Sequence, residues 1–120
     1  MTVRKVLCVD DSATDLSALR NILNGANINV VFATNGIDAI QFAKSEMPDL
    51  IFLDIIMPGM DGFAVMRELK KDPATKDIPV VFVSSKSQKA DQAWAKLQGG
   101  RGFVPKPVNQ LAILEEISRF

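Results

Sequence analysis

This sequence predicts a doubly wound α/β fold with five parallel strands and helices on both faces. Three observations carry that reading. Short apolar runs alternate with segments of helical period, and the alternation repeats five times along the chain. The central run, Leu50, Ile51, Phe52 and Leu53, is apolar at every position, as in a parallel strand buried on both faces. It then ends abruptly in a carboxylate, Asp54, where an open parallel sheet presents its ligand-binding edge. A length of 120 residues with 48% apolar composition suits one domain, residues 1–120, built on one core.

The elements follow in order. Val6 to Val9 is the first strand, with Asp10, Asp11 and Ser12 as turn and N-cap material behind it. Thr14 to Asn24 sets Leu16, Leu19, Ile22 and Leu23 on one helical face, and Gly25 stands where a glycine cap is expected. Asn29 to Ala33 is the second strand and Asn35–Gly36 a turn; Ile37 to Glu46, apolar at Ile37, Ile40, Phe42 and Ala43, is the second helix, stopped before Pro48. After Leu50–Leu53, the turn formers Pro58, Gly59, Asp61 and Gly62 precede a short helix from Phe63 to Lys71. A polar loop from Asp72 to Pro79 leads to the fourth strand, Val80 to Val83. The fourth helix, Gln88 to Leu97, places Trp94 with Ala90, Ala93 and Leu97 on a stripe expected to lie against the sheet. Phe103 and Val104 mark a short fifth strand, and a helix capped by Asn109 closes the chain, with Leu111, Ile113, Leu114 and Ile117 apolar.

Composition narrows the function. Fourteen basic and fourteen acidic residues balance, and no Lys/Arg stripe suggests nucleic acid or a membrane surface as partner. Neither a run of about eighteen apolar residues nor a signal-peptide pattern over Met1 to Asp10 is present, so a soluble, cytoplasmic protein is expected. The lone cysteine, Cys8, sits inside the first apolar run and reads as a small buried hydrophobe.

The chemistry collects at the strand ends: Asp10 and Asp11 after the first, Asp54 after the third, Ser84 and Ser85 after the fourth, Lys106 after the fifth. Asp54 alone could be a helix cap, but four of five strands deliver such groups to one edge. If the three carboxylates meet, a proton or a cation must relieve their repulsion. With no histidine and no clustered cysteine, the ligand set suits Mg²⁺ or Mn²⁺ over zinc. Carboxylate, metal, ammonium and hydroxyl together suit phosphoryl transfer, whose equatorial oxygens need positive partners.

In order and spacing, Asp10-Asp11-Ser12, the MPGMDG run after Asp54, Ser84-Ser85-Lys86 and Lys106-Pro107 resemble the receiver domain of bacterial two-component response regulators, the CheY-like family. The resemblance implies a strand order of 2-1-3-4-5. It implies that Asp54 accepts a phosphoryl group from a phosphohistidine on a sensor kinase of the CheA type, and that Asp10, Asp11, Asp54 and the backbone carbonyl of Ile56 hold Mg²⁺. Lys106 would pair with the phosphoryl group, the Ser84 hydroxyl would bond one of its oxygens, and Ser85 would be small enough to admit the donor. Phe103 takes the place of the family's switch aromatic, without a phenolic hydroxyl. The Lys106-Pro107 bond would be cis, and Pro105, a departure from the family pattern, would fall on an edge strand that tolerates it.

The fourth-helix region, SSKSQKADQAWAKLQGG, resembles stand-alone receivers of chemotaxis-like systems governing type IV pili, twitching and phototaxis. Output would then be binding of a motility or regulatory protein over roughly Gln88 to Phe120, with no enzyme activity on a separate substrate. The competing readings are a phosphate sink for a shared kinase and a binding module independent of phosphorylation. A phosphohydrolase of the haloacid dehalogenase type would need a second acid where Ile56 stands. A flavodoxin-like carrier would need a neutral or Gly-rich first loop where this chain has the acidic DDSATD.

Overall fold

The computed structural model describes residues 2–120; Met1, the first residue of the stretch read for a signal peptide, lies outside them. Five strands, β1 (Lys5–Val9), β2 (Asn29–Ala33), β3 (Leu50–Leu53), β4 (Val80–Ser84) and β5 (Gly102–Pro105), form one parallel sheet in the order β2-β1-β3-β4-β5. Between and after them run α1 (Ala13–Gly25), α2 (Gly36–Glu46), α3 (Gly62–Lys71), α4 (Lys89–Leu97) and α5 (Gln110–Ser118). The expected fold and strand order are both found.

Side chains alternate across the pleat, so each central strand feeds two cores. Leu7, Val9, Ile51, Leu53, Val80 and Phe82 pack with Ala39, Ala43, Val65, Met66, Leu69 and Ala95, under α2, α3 and α4. Val6, Cys8, Leu50, Phe52, Val81 and Val83 pack on the opposite face with Leu16, Leu19, Leu23 and Ile113, under α1 and α5. Continuous apolar runs are therefore what strands covered on both faces require. Cys8 is buried as expected, and burial first, then the charge of Asp10, pushes its thiol well above the ordinary range.

Local details depart from expectation where an apolar pattern or a glycine leaves a choice open. Gly25 is not the left-handed cap of α1: it is the last helical residue, and Asn27, at φ 59°, makes the reversal. A short amide side chain tolerates that region. Asn35 and Gly36 do not form a separate turn. Asn35 caps α2 through Asp38 N at 2.8 Å, and Gly36 is its first helical residue. A Cβ on Gly36 would stand 2.8 Å from Met60 Sδ and Val65 Cγ2, so this contact faces inward and turns Ile37 out to 70% exposure. Leu111 of α5 is likewise 69% exposed.

The predicted stripe on α4 is also displaced. Its buried residue is Ala95, while Ala90, Ala93 and Leu97 are exposed. Trp94, half exposed, meets Phe63 of α3 edge-on at 6.4 Å and does not lie on the sheet. Among the described residues no helix is long and apolar enough to cross a membrane.

Candidate functional site

Three of the predicted site residues are each the first residue beyond a strand, and each is pinned by one more ladder bond. Asp10 N donates to Ala33 O at 3.1 Å, Asp54 N to Val9 O at 3.0 Å, and Lys106 N to Ser84 O at 3.0 Å. The sheet thus fixes their Cα atoms at one edge, whatever their side chains do. Pro105 pairs with Ser84 on β5 at the sheet's edge, where its missing N–H faces no neighbouring strand.

The side chains converge. One carboxylate oxygen from each of Asp10, Asp11 and Asp54 lies within 4.8 Å of the others; Asp10 and Asp54 are buried and Asp11 is exposed. Lys106 Nζ stands 2.7 Å from Asp10 Oδ2, 2.8 Å from Asp15 Oδ2 and 3.1 Å from Asp54 Oδ2. The Lys106-Pro107 bond is cis. Burial works against the charge of Lys106, but its bonds to Asp10, Asp15 and Asp54 outweigh burial and hold the ammonium above the ordinary lysine range. Burial raises Asp10; the bonds from Lys106 and Ser12 N pull it back, Asp54 adds to the rise, and the carboxyl stays above its usual range.

The loop after β3 bonds back to the acid it follows. Ile56 N donates to Asp54 Oδ1 at 3.3 Å, drawing that backbone over the carboxylate. Asp54 caps no helix. Asp61 does, accepting from Ala64 N at 2.8 Å, which settles it as a cap and turn residue. Next to it, a Cβ on Gly62 would collide with the carbonyl oxygen of Asp54, and Gly62 N donates to Ile55 O at 2.8 Å. Only glycine lets the start of α3 lie so close to the acid's own backbone.

Ser84 is fully buried, its hydroxyl accepting from Lys86 N at 3.2 Å, and Ser85 is exposed. Phe103 is half-buried beside the α2–α4 core and lines a 420 Å³ cleft with Ala93, Lys96 and Arg119.

One member of the cluster was absent from the sequence reading. Asp15, third residue of α1, contributes the second of the three carboxylates on Lys106. The available signal was its place three residues after the cap Ser12, in the first turn of a helix rising from the same edge. A set made only of oxygen ligands, with more carboxylates than cations, fits a hard divalent ion and not a soft one.

Known proteins bear on this arrangement. The family described as the response regulator receiver domain matches residues 6–118. Protein PilH of Pseudomonas aeruginosa is 40% identical over 95% of this chain and 94% of its own length. Other relatives are longer, and the chain spans 25% of response regulator PleD of Caulobacter vibrioides, at 34% identity. The chemotaxis protein CheY4 of Vibrio cholerae superposes with a TM-score of 0.90 at 27% identity, covering 98% of both chains. The receiver domain of the sensor histidine kinase PA1611 from P. aeruginosa, solved with magnesium coordinated in its active site cleft, has a TM-score of 0.89 over 98% of this chain and 97% of its own. At 19% identity that likeness speaks for the fold.

Proposed function

Because the chain belongs to the response regulator receiver domain family, we propose that it is a phosphorylation-driven switch whose acceptor is Asp54, working in a chemotaxis-like system that controls pilus motility or phototaxis. The observation that carries this reading is the Lys106 ammonium 3.1 Å from a buried Asp54 carboxylate, beside an acid cluster at the sheet's ligand-binding edge. In the proposed step an Asp54 carboxylate oxygen bonds to the phosphorus of a phosphohistidine on a CheA-like sensor kinase. The phosphorus–nitrogen bond breaks and its electron pair leaves with the imidazole.

Asp10, Asp11, Asp54 and the Ile56 carbonyl would hold Mg²⁺, or Mn²⁺ with the same preference for oxygen, which supplies positive charge for the equatorial oxygens in transit. Lys106 offers the fixed cation for those oxygens, and the buried Ser84 hydroxyl a donor once it turns from Lys86 N. Ser85, exposed and small, leaves room for the donor. The added charge of roughly −1.5 to −2 would draw Ser84 and Lys106 toward the phosphoryl group. Phe103 would then repack, altering the surface from Gln88 to Phe120 on which a motility or regulatory protein docks.

Intact mass after incubation with acetyl phosphate and Mg²⁺ tests this. Wild type gains one phosphoryl group, and neither Asp54→Asn nor an EDTA-treated sample does. A folded wild type that gains nothing under any of these conditions overturns the assignment and favours a constitutive binding module.

A further inference from the structure

The Lys106 ammonium stands against three carboxylates: it donates to Asp15 Oδ2 at 2.8 Å and to Asp54 Oδ2 at 3.1 Å, and it pairs with Asp10 Oδ2 at 2.7 Å. Asp10 and Asp54 belong to the acid group able to hold a cation; Asp15 does not. Nor has it a part in the phosphoryl chemistry proposed above, on which this inference rests.

Its contact with Lys106 is a consequence of the loop. In a capping box the acid three residues after the cap turns back to the cap's own amide. Here Ser12 N is already bonded to Asp10 Oδ1 at 2.9 Å, while the Ser12 hydroxyl accepts from Asp15 N at 3.3 Å. The Asp15 carboxylate is therefore released from capping and reaches a lysine 91 residues away.

We propose that Asp15 is a latch on Lys106: a positioning residue that holds the ammonium at its resting place and competes with the phosphoryl oxygens for it. A phosphoryl group on Asp54 adds acceptors beyond the carboxylate, and Lys106 must turn an N–H toward them. The bond it gives up at least cost is the one to Asp15, whose side chain is 30% exposed and regains water; that of Asp10, at 2%, does not. The latch biases the switch toward its resting state.

The test is calorimetric titration with beryllofluoride, a phosphoryl mimic, at saturating Mg²⁺, for wild type, Asp15→Asn, Lys106→Gln and the double variant. Asp15→Asn binds about 3- to 10-fold tighter, the scale of one charge-assisted bond at a partly exposed site. In the Lys106→Gln background the same substitution changes nothing. Unchanged or weaker binding by Asp15→Asn overturns the latch, and so does an equal gain in both backgrounds, which identifies repulsion through space. A wild type that binds no beryllofluoride sinks the receiver reading and the latch with it. A second measurement needs no ligand: in metal-free protein the Lys106 ammonium protons, followed by ¹⁵N NMR, exchange with water several-fold faster in Asp15→Asn. Equal exchange rates in the two folded proteins also overturn the proposal.

Discussion

Helices α1 and α4 flank the same site from opposite sides and are held in very different ways. The first runs 13 residues, buries Leu16, Leu19 and Leu23, and is capped by Ser12, which also belongs to the acid loop. The second runs nine residues and buries only Ala95. Its start is secured by Asp91, which accepts from Gln88 N at 3.0 Å and pairs with Lys86 at 3.5 Å. The acids Asp10 and Asp11 lead into the anchored helix, and the surface proposed to report a phosphoryl group begins at the lightly held one. Local stability follows buried apolar contact, so this side is the one that moves at least cost.

Core truncation gives the largest test of the contrast. Leu23→Ala removes a fully buried side chain and costs about 2–5 kcal/mol in urea denaturation, whereas Leu97→Ala, at a position 76% exposed, stays within about 0.5 kcal/mol. Equal losses would mean that α4 is as firmly seated as α1.

Buried charge gives the next. The raised carboxyl of Asp10 binds its proton more readily in the folded chain than in the unfolded one, where its ordinary value is 3.8. Its contribution to stability is therefore complete below that value and is lost as pH rises through the folded value. In EDTA at neutral pH, Asp10→Asn is expected to be more stable than wild type, the gap closing on acidification and on adding Mg²⁺ to the wild type. Thermal melts across pH check the sign. Asp91 pairs with Lys86 at the start of α4, and a matching gap for Asp91→Asn would erase the distinction between the two sides.

Caps give the smallest effect. Ser12→Ala costs about 1 kcal/mol and Asp91→Ala about 0.5 kcal/mol in the same denaturation experiment, because each removes an acceptor from a helix's first turn. A larger loss at Asp91 would show that α4 depends on its cap for what its core contact does not supply.

The sheet and its edge were legible because period and position carry them: a strand buried on both faces must be apolar throughout, Asp10 and Asp54 each follow such a run directly, and Lys106 follows the short edge strand. Helix faces were less legible. Ala90, Ala93, Trp94 and Leu97 make an apolar stripe, but period alone does not say what covers it, and the sheet receives Ala95 from another side of the helix. Ile37 failed for a related reason, since the inward contact falls to a glycine with no hydrophobicity to count. Asp15 lay hidden because acids in first turns are ordinary. Its meaning depends on Ser12 N already having a partner, a fact of three dimensions.

The position of Lys106 also has a consequence in time. Synthesis delivers Asp10, Asp11 and Asp15 before Asp54, and Lys106 after all of them, just beyond a strand whose sheet neighbour is β4 alone. A growing chain can hold every acid of the cluster and still lack the cation that joins them. The edge strand thus works as a completion mark: its docking unites the first turn of the first helix with β5, so a chain that stops short of Lys106 carries the acids without the ammonium that joins them.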